Sequence, residues 1–266
     1  MLIHSRSNPK IKHLRQLAQR KYRQKNGAFV IEGRVLIEEA LSNGWQAEQI
    51  FVREGMMLSE AALDHFALYE LPAELMQYAS QMSSAPDALA VFRMQDIPED
   101  PQRASAWFVA DRLQDPGNFG ALCRLADALN WRGILSFGPT PDPFQSKVIR
   151  GSMGASLRLP VMQVDIPALS NYLNGGWTLV ATAAEAHSLS VASPLPEKML
   201  LALGHEGQGL HPDLRELAGM TLRIPIHARV ESLNVVTAGA MLAHEYLRQH
   251  GLQEGLQEAS QDTPHD

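Results

Sequence analysis

Three short stretches hold the residues of this chain best suited to chemistry. DPGNFGALCRLADAL, residues 115–129, sets Asn118 six positions ahead of Arg124. LALGHEGQGL, residues 201–210, places Glu206 among Gly204, Gly207 and Gly209. IHARVESLN, residues 226–234, ends in a polar cluster of Glu231, Ser232 and Asn234. A guanidinium is a planar, permanently charged fork, and beside a side-chain amide it suits a phosphate or a carboxylate. The plainer alternative is a helix that begins near Phe119, capped by Asn118, with Arg124 as a surface residue in its first two turns. Glu206 and Glu231 are either strand-end acids or turn acceptors, and Ser232 is a candidate cap for the last helix. Cys123 reads as a small buried residue, since no Cys-His-Asn pattern accompanies it. None of the ten histidines falls in a metal-ligand spacing, so no metal site is expected.

These stretches must be carried by something rigid, and the pattern around them says what. Apolar runs at WFVAD (107–111), GILSFG (133–138), WTLVAT (177–182), MLLALG (199–204) and TLRIP (221–225) alternate with helical segments. Runs this apolar imply a parallel sheet covered on both faces. Each of the three polar stretches lies at or just beyond the carboxyl end of one such run, which is where parallel α/β proteins bind ligands. After Asn234 comes Val235-Val236, then Ala238, Gly239, Ala240, Met241, Leu242 and Ala243, so a helix from about Ser232 to Gln249 should be buried. No GxGxxG follows the first strand of this half, and no GxxxxGK[ST] occurs, which disfavours a standard dinucleotide or P-loop site. GxxGxG at 204–209 is weak evidence by itself.

Upstream lies a smaller α/β unit. Asn8-Pro9 signals a helix start with proline at the first helical position. Ile11, Leu14 and Leu17 make its apolar stripe. AFVIE (28–32), VLIEEAL (35–41), QIFVR (49–53) and ALAVFRM (88–94) alternate as strand, helix, strand and strand, with further short helix–strand alternation before the last. The expected boundaries are 1–97 for this domain, 98–105 for a linker, 106–250 for the second domain and 251–266 for a polar, disordered tail.

Charge is unevenly spread. The net charge is −6, yet residues 1–34 carry nine Lys/Arg against Glu32, a local excess of +8 that leaves −14 for the rest. A basic segment on an acidic body fits an RNA footprint, with Arg20, Lys21 and Arg23 as its centre; a solvated helix face explains it equally well. One cysteine excludes an internal disulfide framework, and no apolar stretch approaches the roughly 20 residues of a membrane span. The amino-terminal residues lack the apolar core of a signal peptide, so a cytoplasmic protein is expected.

Taken together and in order, DPGNFGALCRLADAL, LALGHEGQGL and IPIHARVESLNVVTAGAMLAHE resemble the three motifs of the SpoU (TrmH-type) RNA ribose 2′-O-methyltransferases of the SPOUT superfamily. GSMGASLRLPV (151–161) is similar to the family's intermediate segment, and SNPKIKHLRQLAQRKYRQKNGAFVIEGRVLIEEAL to its L30e-like substrate-binding domain. The resemblance implies an α/β fold with a parallel sheet and a carboxyl-terminal trefoil knot, a homodimer, S-adenosylmethionine as cofactor, and RNA as substrate, ribosomal before transfer RNA. It carries Gly204, Ile224, Ile226 and Leu233 to the cofactor, and Asn118, Arg124, Glu206, Ser232 and Asn234 to the polar active-site positions. It also suggests the small-residue face of the last helix as the dimer contact. The family proposal makes the Arg124 equivalent the base. A guanidinium stays protonated, so Arg124 reads better as a grip on an RNA phosphate. Ile226, Ala228 and His205 depart from the family's usual Met, Gly and Asn, and Ala228 matters most if its turn needs positive φ. A catalytically silent RNA-binding protein on the same fold and a dinucleotide oxidoreductase are the rival readings. The intact polar positions speak against the first, and the absent fingerprint against the second.

Overall fold

The computed structural model describes residues 1–56, 67–188, 194–205, 207–227, 229–230 and 232–251. Two compact units result, one of Met1–Ile97 with Pro141–Arg158, the other of Pro98–Thr140 with the chain from Leu159 onward. The expectation for the tail, 251–266, falls outside the described residues from 252 on.

The first unit is a sheet with helices on both faces. Its strands are β1 (Ala28–Glu32), β2 (Ala47–Arg53), β3 (Ala67–Leu71) and β4 (Ala88–Arg93), in the order β1-β4-β2-β3. β4 pairs antiparallel with both β1 and β2, while β2 and β3 are parallel. Side chains on a strand alternate between faces, and β1 divides accordingly. Phe29 and Ile31 join one core with Ile37 and Ala40 of α3 (Arg34–Ser42), whereas Ala28 and Val30 join Ile11 and Leu14 of α1 (Pro9–Gln16) and Leu75 of α4 (Ala73–Ala79). The start of α1 is as expected: Asn8 accepts from the Lys10 amide at 2.9 Å, and Pro9 occupies the first turn.

The domain boundary needs a correction. Residues 141–158 were expected in the second domain, but they complete the first. α6 (Ser146–Gly151) supplies Ile149, and the 3₁₀ turn after it supplies Leu157, to the Phe29 core. Trp45 Nε1 donates to the Leu157 carbonyl at 3.0 Å, and Ser146 donates to the buried Glu32 carboxylate at 2.9 Å. Apolar area and buried polar groups are both satisfied by this return of the chain, which no local pattern in 141–158 announces.

The second unit is a six-stranded, wholly parallel sheet of β5 (Ala104–Asp111), β6 (Trp131–Phe137), β7 (Val161–Val164), β8 (Thr178–Ser188), β9 (Met199–Leu203) and β10 (Met220–Arg223), in the order β10-β8-β9-β5-β6-β7. β5 begins inside the stretch read as a linker, and the four-residue β7 has no counterpart among the expected strands. Trp107, Val109, Leu200 and Ala202 face α7 (Ile166–Asn174) and α8 (Pro212–Leu217). The opposite face is covered by α5 (Pro116–Ala128) and α9 (Val235–His250).

α9 packs closely because of one residue. A Cβ on Gly239 would lie 2.9 Å from Leu203 Cδ1 and 3.5 Å from Phe108 Cε1. Of the small-residue face expected at a dimer contact, Gly239 and Ala243 are therefore buried within the chain, while Ala238 and Ala240 are half-buried. The helix starts at Val235 rather than near Ser232, and its cap is Asn234, whose Oδ1 accepts from the Val236 and Thr237 amides at 2.9 and 3.3 Å.

Candidate functional site

Strand order reverses direction between β5 and β9: the chain adds β6 and β7 on one side of β5, then returns to build β8, β9 and β10 on the other. In open parallel sheets a crevice forms beyond the carboxyl ends at such a point. The chain after β5 meets the loop after β9 through Arg112 and the segment after β10 through Asn118 of the following helix.

Asp115 caps α5, its Oδ1 accepting from the Asn118 amide at 2.8 Å, with Pro116 in the first turn. Asn118 is thus inside the helix and not its cap, and Arg124 lies in the third turn, one turn later than expected. Phe119, Leu122, Cys123 and Ala126 form the buried face, and Arg124 is exposed on the other side. Burial pushes the Cys123 thiol up to about 12, so it is neither thiolate nor nucleophile near neutrality. This agrees with its reading as a packing residue.

Asn234 draws the third motif to the first. Its Oδ1 is held by the amides of α9, which fixes its Nδ2 as the donor toward Asn118 Oδ1 at 3.1 Å. Two polar positions 116 residues apart in sequence become one hydrogen-bonded pair. Along the segment that leads from β10 to Asn234, Ile224 and Leu233 are half-buried and Ser232 is exposed. Ile226 is 37% exposed and Val230 49%, so an apolar surface faces outward from this strand-end loop. Glu206, Glu231 and Ala228 lie outside the described residues.

The loop after β9 folds back tightly on itself. A Cβ on Gly204 would meet the Gly209 carbonyl carbon and the Leu210 amide at 2.5 Å, so the close approach requires glycine. Gly209 donates to the His205 carbonyl at 2.9 Å and has φ +66. His205 Nδ1 accepts from the Gly207 amide at 3.0 Å, the role that a side-chain oxygen of Asn performs in such a turn. The His205 departure therefore keeps the turn's acceptor.

Asp111 and Arg112 were missed by the sequence reading. Asp111 is fully buried at the end of β5, and its carboxylate accepts from Arg112 Nε at 2.7 Å and from the His211 amide at 2.7 Å. Arg112 in turn donates to Gln208 Oε1 at 3.1 Å and to the Gly209 carbonyl at 3.2 Å. The hydrogen bond that Arg112 donates to Asp111 holds its guanidinium above its usual pKa. The available signal was a charged pair directly at the end of an apolar strand, WFVA followed by Asp-Arg.

The basic amino-terminal segment divides. Arg20 and Lys21 are exposed, but Arg23 is 2% exposed. Its Nη2 meets Asp142 Oδ2 at 2.6 Å, and its Nη1 donates to the Leu17 and Ala18 carbonyls at 2.9 Å each. Arg23 is a structural ion pair and is not available to RNA, a correction to its expected role. Among the described residues, no cluster of His, Cys, Asp or Glu could hold a metal ion, and no helix is long and apolar enough to cross a membrane.

A doubly wound parallel sheet with polar, glycine-bearing loops joined at its carboxyl edge defines an α/β protein that binds a ligand at the strand ends. The chain belongs to the SpoU rRNA Methylase family, whose profile matches residues 105–244, and the profile of the MRM3-like substrate binding domain matches residues 8–90. It is 29% identical over 243 residues to the 23S rRNA (guanosine(2553)-2′-O)-methyltransferase RlmP of Bacillus subtilis, covering 91% of this chain and 97% of that protein. A solved RNA 2′-O ribose methyltransferase superposes with a TM-score of 0.81 at 32% identity, over 94% of this chain and 99% of the other. The AdoMet-bound rRNA methyltransferase from Sinorhizobium meliloti superposes with a TM-score of 0.82 at 26% identity, over 93% and 97% respectively.

Proposed function

We propose that this chain is an S-adenosylmethionine-dependent methyltransferase that modifies a ribose 2′-hydroxyl in structured RNA, with ribosomal RNA the first substrate class to test and transfer RNA the second. The observation that carries the reading is the Asn118–Asn234 pair, which joins the first and third motifs at the carboxyl edge of a parallel sheet. The homologous 2′-O-methyltransferases extend over nearly the whole chain and support the same activity.

The residues at the strand ends fit the cofactor. A nucleoside bearing an amino-acid tail needs apolar cover for its base and backbone groups for its polar edges. Ile226 and Val230 offer exposed apolar surface, Ile224 and Leu233 flank them, and the folded-back turn at Gly204 presents backbone close by. S-adenosylmethionine supplies an activated methyl group on a sulfonium. What remains for the protein is to align the ribose oxygen and help its proton leave. We assign Asn118, Ser232, Asn234 and Glu206 to orienting the ribose. Arg124, exposed and permanently charged, grips an RNA phosphate, and that phosphate or a water assists the proton's departure.

The same reading includes a trefoil knot formed by the carboxyl-terminal part of the sheet, an L30e-like character for the amino-terminal unit, RNA contacts through Arg20 and Lys21, and a homodimer. Since Gly239 and Ala243 are internal, the dimer contact in this reading falls to the half-buried Ala238 and Ala240 and the exposed Met241 of α9. Titration calorimetry with S-adenosylmethionine and with NAD tests the cofactor: micromolar binding of the first and none of the second is expected. Methyl transfer to ribosomal RNA from a strain lacking this protein, with mapping of the 2′-O-methyl site, tests the reaction. A chain that binds NAD instead, or binds S-adenosylmethionine without modifying either RNA class, refutes the proposal.

A further inference from the structure

The described part of the catalytic unit contains a non-glycine residue in the left-handed region directly at a strand end. Arg112 has φ +52, and the Cβ that Gly138 lacks would press on its Cγ at 2.8 Å. An arginine in that conformation is strained, and strain at such a place persists only when surrounding contacts hold it. The contacts here are specific. The guanidinium is bidentate on the buried Asp111, with Nε at 2.7 Å and Nη2 at 3.2 Å. Its remaining donors reach Gln208 Oε1 and the Gly209 carbonyl. Asp111 also takes the His211 amide on the far side of the same turn.

We infer that Arg112 is a positioning residue for cofactor binding: with Asp111 it latches the end of β5 to the 204–211 turn and holds that turn in its binding shape before the cofactor arrives. This rests on the methyltransferase reading above. The physical argument is pre-organisation. A glycine-bearing turn with Gly204, Gly207 and Gly209 has much conformational freedom to lose on binding. A permanently charged fork that holds both a side chain and a carbonyl of the turn removes that freedom in advance, and Asp111 fixes the fork. The backbone strain at 112 places the guanidinium where it can meet both strand end and turn. Arg112 is not assigned any contact with the reacting atoms, so its effect should fall on cofactor affinity and not on the chemical step.

The test uses the full chain carrying Arg112→Ala, Arg112→Gly and Arg112→Lys. Calorimetry with S-adenosylmethionine should show binding about tenfold weaker for Arg112→Ala, the scale of one lost charge-assisted hydrogen bond. Turnover at saturating cofactor should stay within about twofold, as expected when ground-state and transition-state binding are lost alike. Arg112→Gly relieves the strain but lacks the latch, so it should behave as Arg112→Ala. Arg112→Lys keeps the charge without the fork and should recover part of the affinity; it also serves if the smaller variants fail to fold. Hydrogen exchange in the cofactor-free protein should speed up at the Gly209 and His211 amides in each variant. Unchanged affinity alongside faster exchange would make the latch purely structural and overturn the proposal, as would unchanged exchange. Failure of the wild-type chain to bind S-adenosylmethionine would instead refute the methyltransferase reading, and the exchange data would still decide whether Arg112 organises the turn.

Discussion

Arg23 and Arg124 look alike in the sequence: each stands in a helix of a segment read as anion-binding, and each was a candidate to hold RNA. The structure places them in opposite surroundings. On α2 (Arg20–Asn26), Arg23 is the residue that points inward, closing on Asp142 and two carbonyls at the first unit's core. On α5 the inward face is fully occupied by Phe119, Leu122, Cys123 and Ala126, which leaves Arg124 exposed. A buried charge with satisfied partners serves stability, whereas an exposed one keeps its solvent and is open to a ligand. The difference teaches that position on the helix, not residue type or local charge density, decides which arginine is buried and which is exposed.

The sharpest way to break this comparison is Arg23→Ala. It leaves Asp142 buried without its counter-charge, and a loss of about 3–5 kcal/mol in folding stability is expected. Denaturant melts of Arg23→Ala against the double variant Arg23→Met/Asp142→Leu check it, since removing both charges should restore much of the loss. A near-wild-type melt for the single variant would return Arg23 to the list of RNA contacts.

Next in size is Arg124→Ala. Methyl transfer in a single-turnover assay should fall by about a hundredfold or more, the scale seen when a charged group acting in the transition state is removed. Melting temperature and S-adenosylmethionine affinity should be unchanged, because Arg124 is exposed. Retained turnover would leave Arg124 as a surface residue like any other.

Asn234→Ala lies between the two arginines in kind, since it should cost both stability and activity. It removes the cap of α9, worth about 1 kcal/mol, and frees Asn118 from its partner. Thermal melts read the first effect and turnover the second. Asn234→Ser keeps a capping oxygen without the reach to Asn118, so it should recover stability and not activity.

Smaller still is the double neutralisation of Arg20 and Lys21, which are exposed where Arg23 is not. If they hold RNA phosphates, the log–log salt slope of RNA binding should drop by about 0.7–0.9 per contact, with folding unaffected. A slope equal to wild type would assign the basic segment to solvation. The smallest effect expected is at Cys123. Its thiol, pushed up to about 12 by burial, should resist alkylation at pH 8 in the folded chain and react once denatured. Above about pH 9 the unfolded chain loses a proton that the fold retains, so this residue makes stability fall as pH rises.

Much of this protein was legible in its residues. The run WFVAD and its four successors identified five strands of the parallel sheet, because a strand buried on both faces must be apolar throughout. Asn8-Pro9 announced α1, and the three polar stretches at strand ends announced where a ligand would bind. The β7 strand was missed because four residues at a sheet edge carry too little pattern. The cap of α9 was misplaced because Ser232 and Asn234 are equally good capping types, and only the helix geometry chooses between them. Asp111 and Arg112 were overlooked because a charged pair after a strand is common, and its value depends on what the loop after β9 brings to it.

The sequence by itself determined the layers, the strand ends and the kind of chemistry, since hydrophobic period, glycine placement and ordered motifs are local properties of the chain. Tertiary structure alone decided which like residues diverge. It sent 141–158 back to complete the first core, turned Arg23 inward and left Arg124 outside. It joined Asn118 to Asn234, and it buried Gly239 against Leu203 and Phe108. Each of these rests on partners distant in sequence, and a charge, an amide or a missing Cβ acquires its role only from what the fold places within a few ångströms of it.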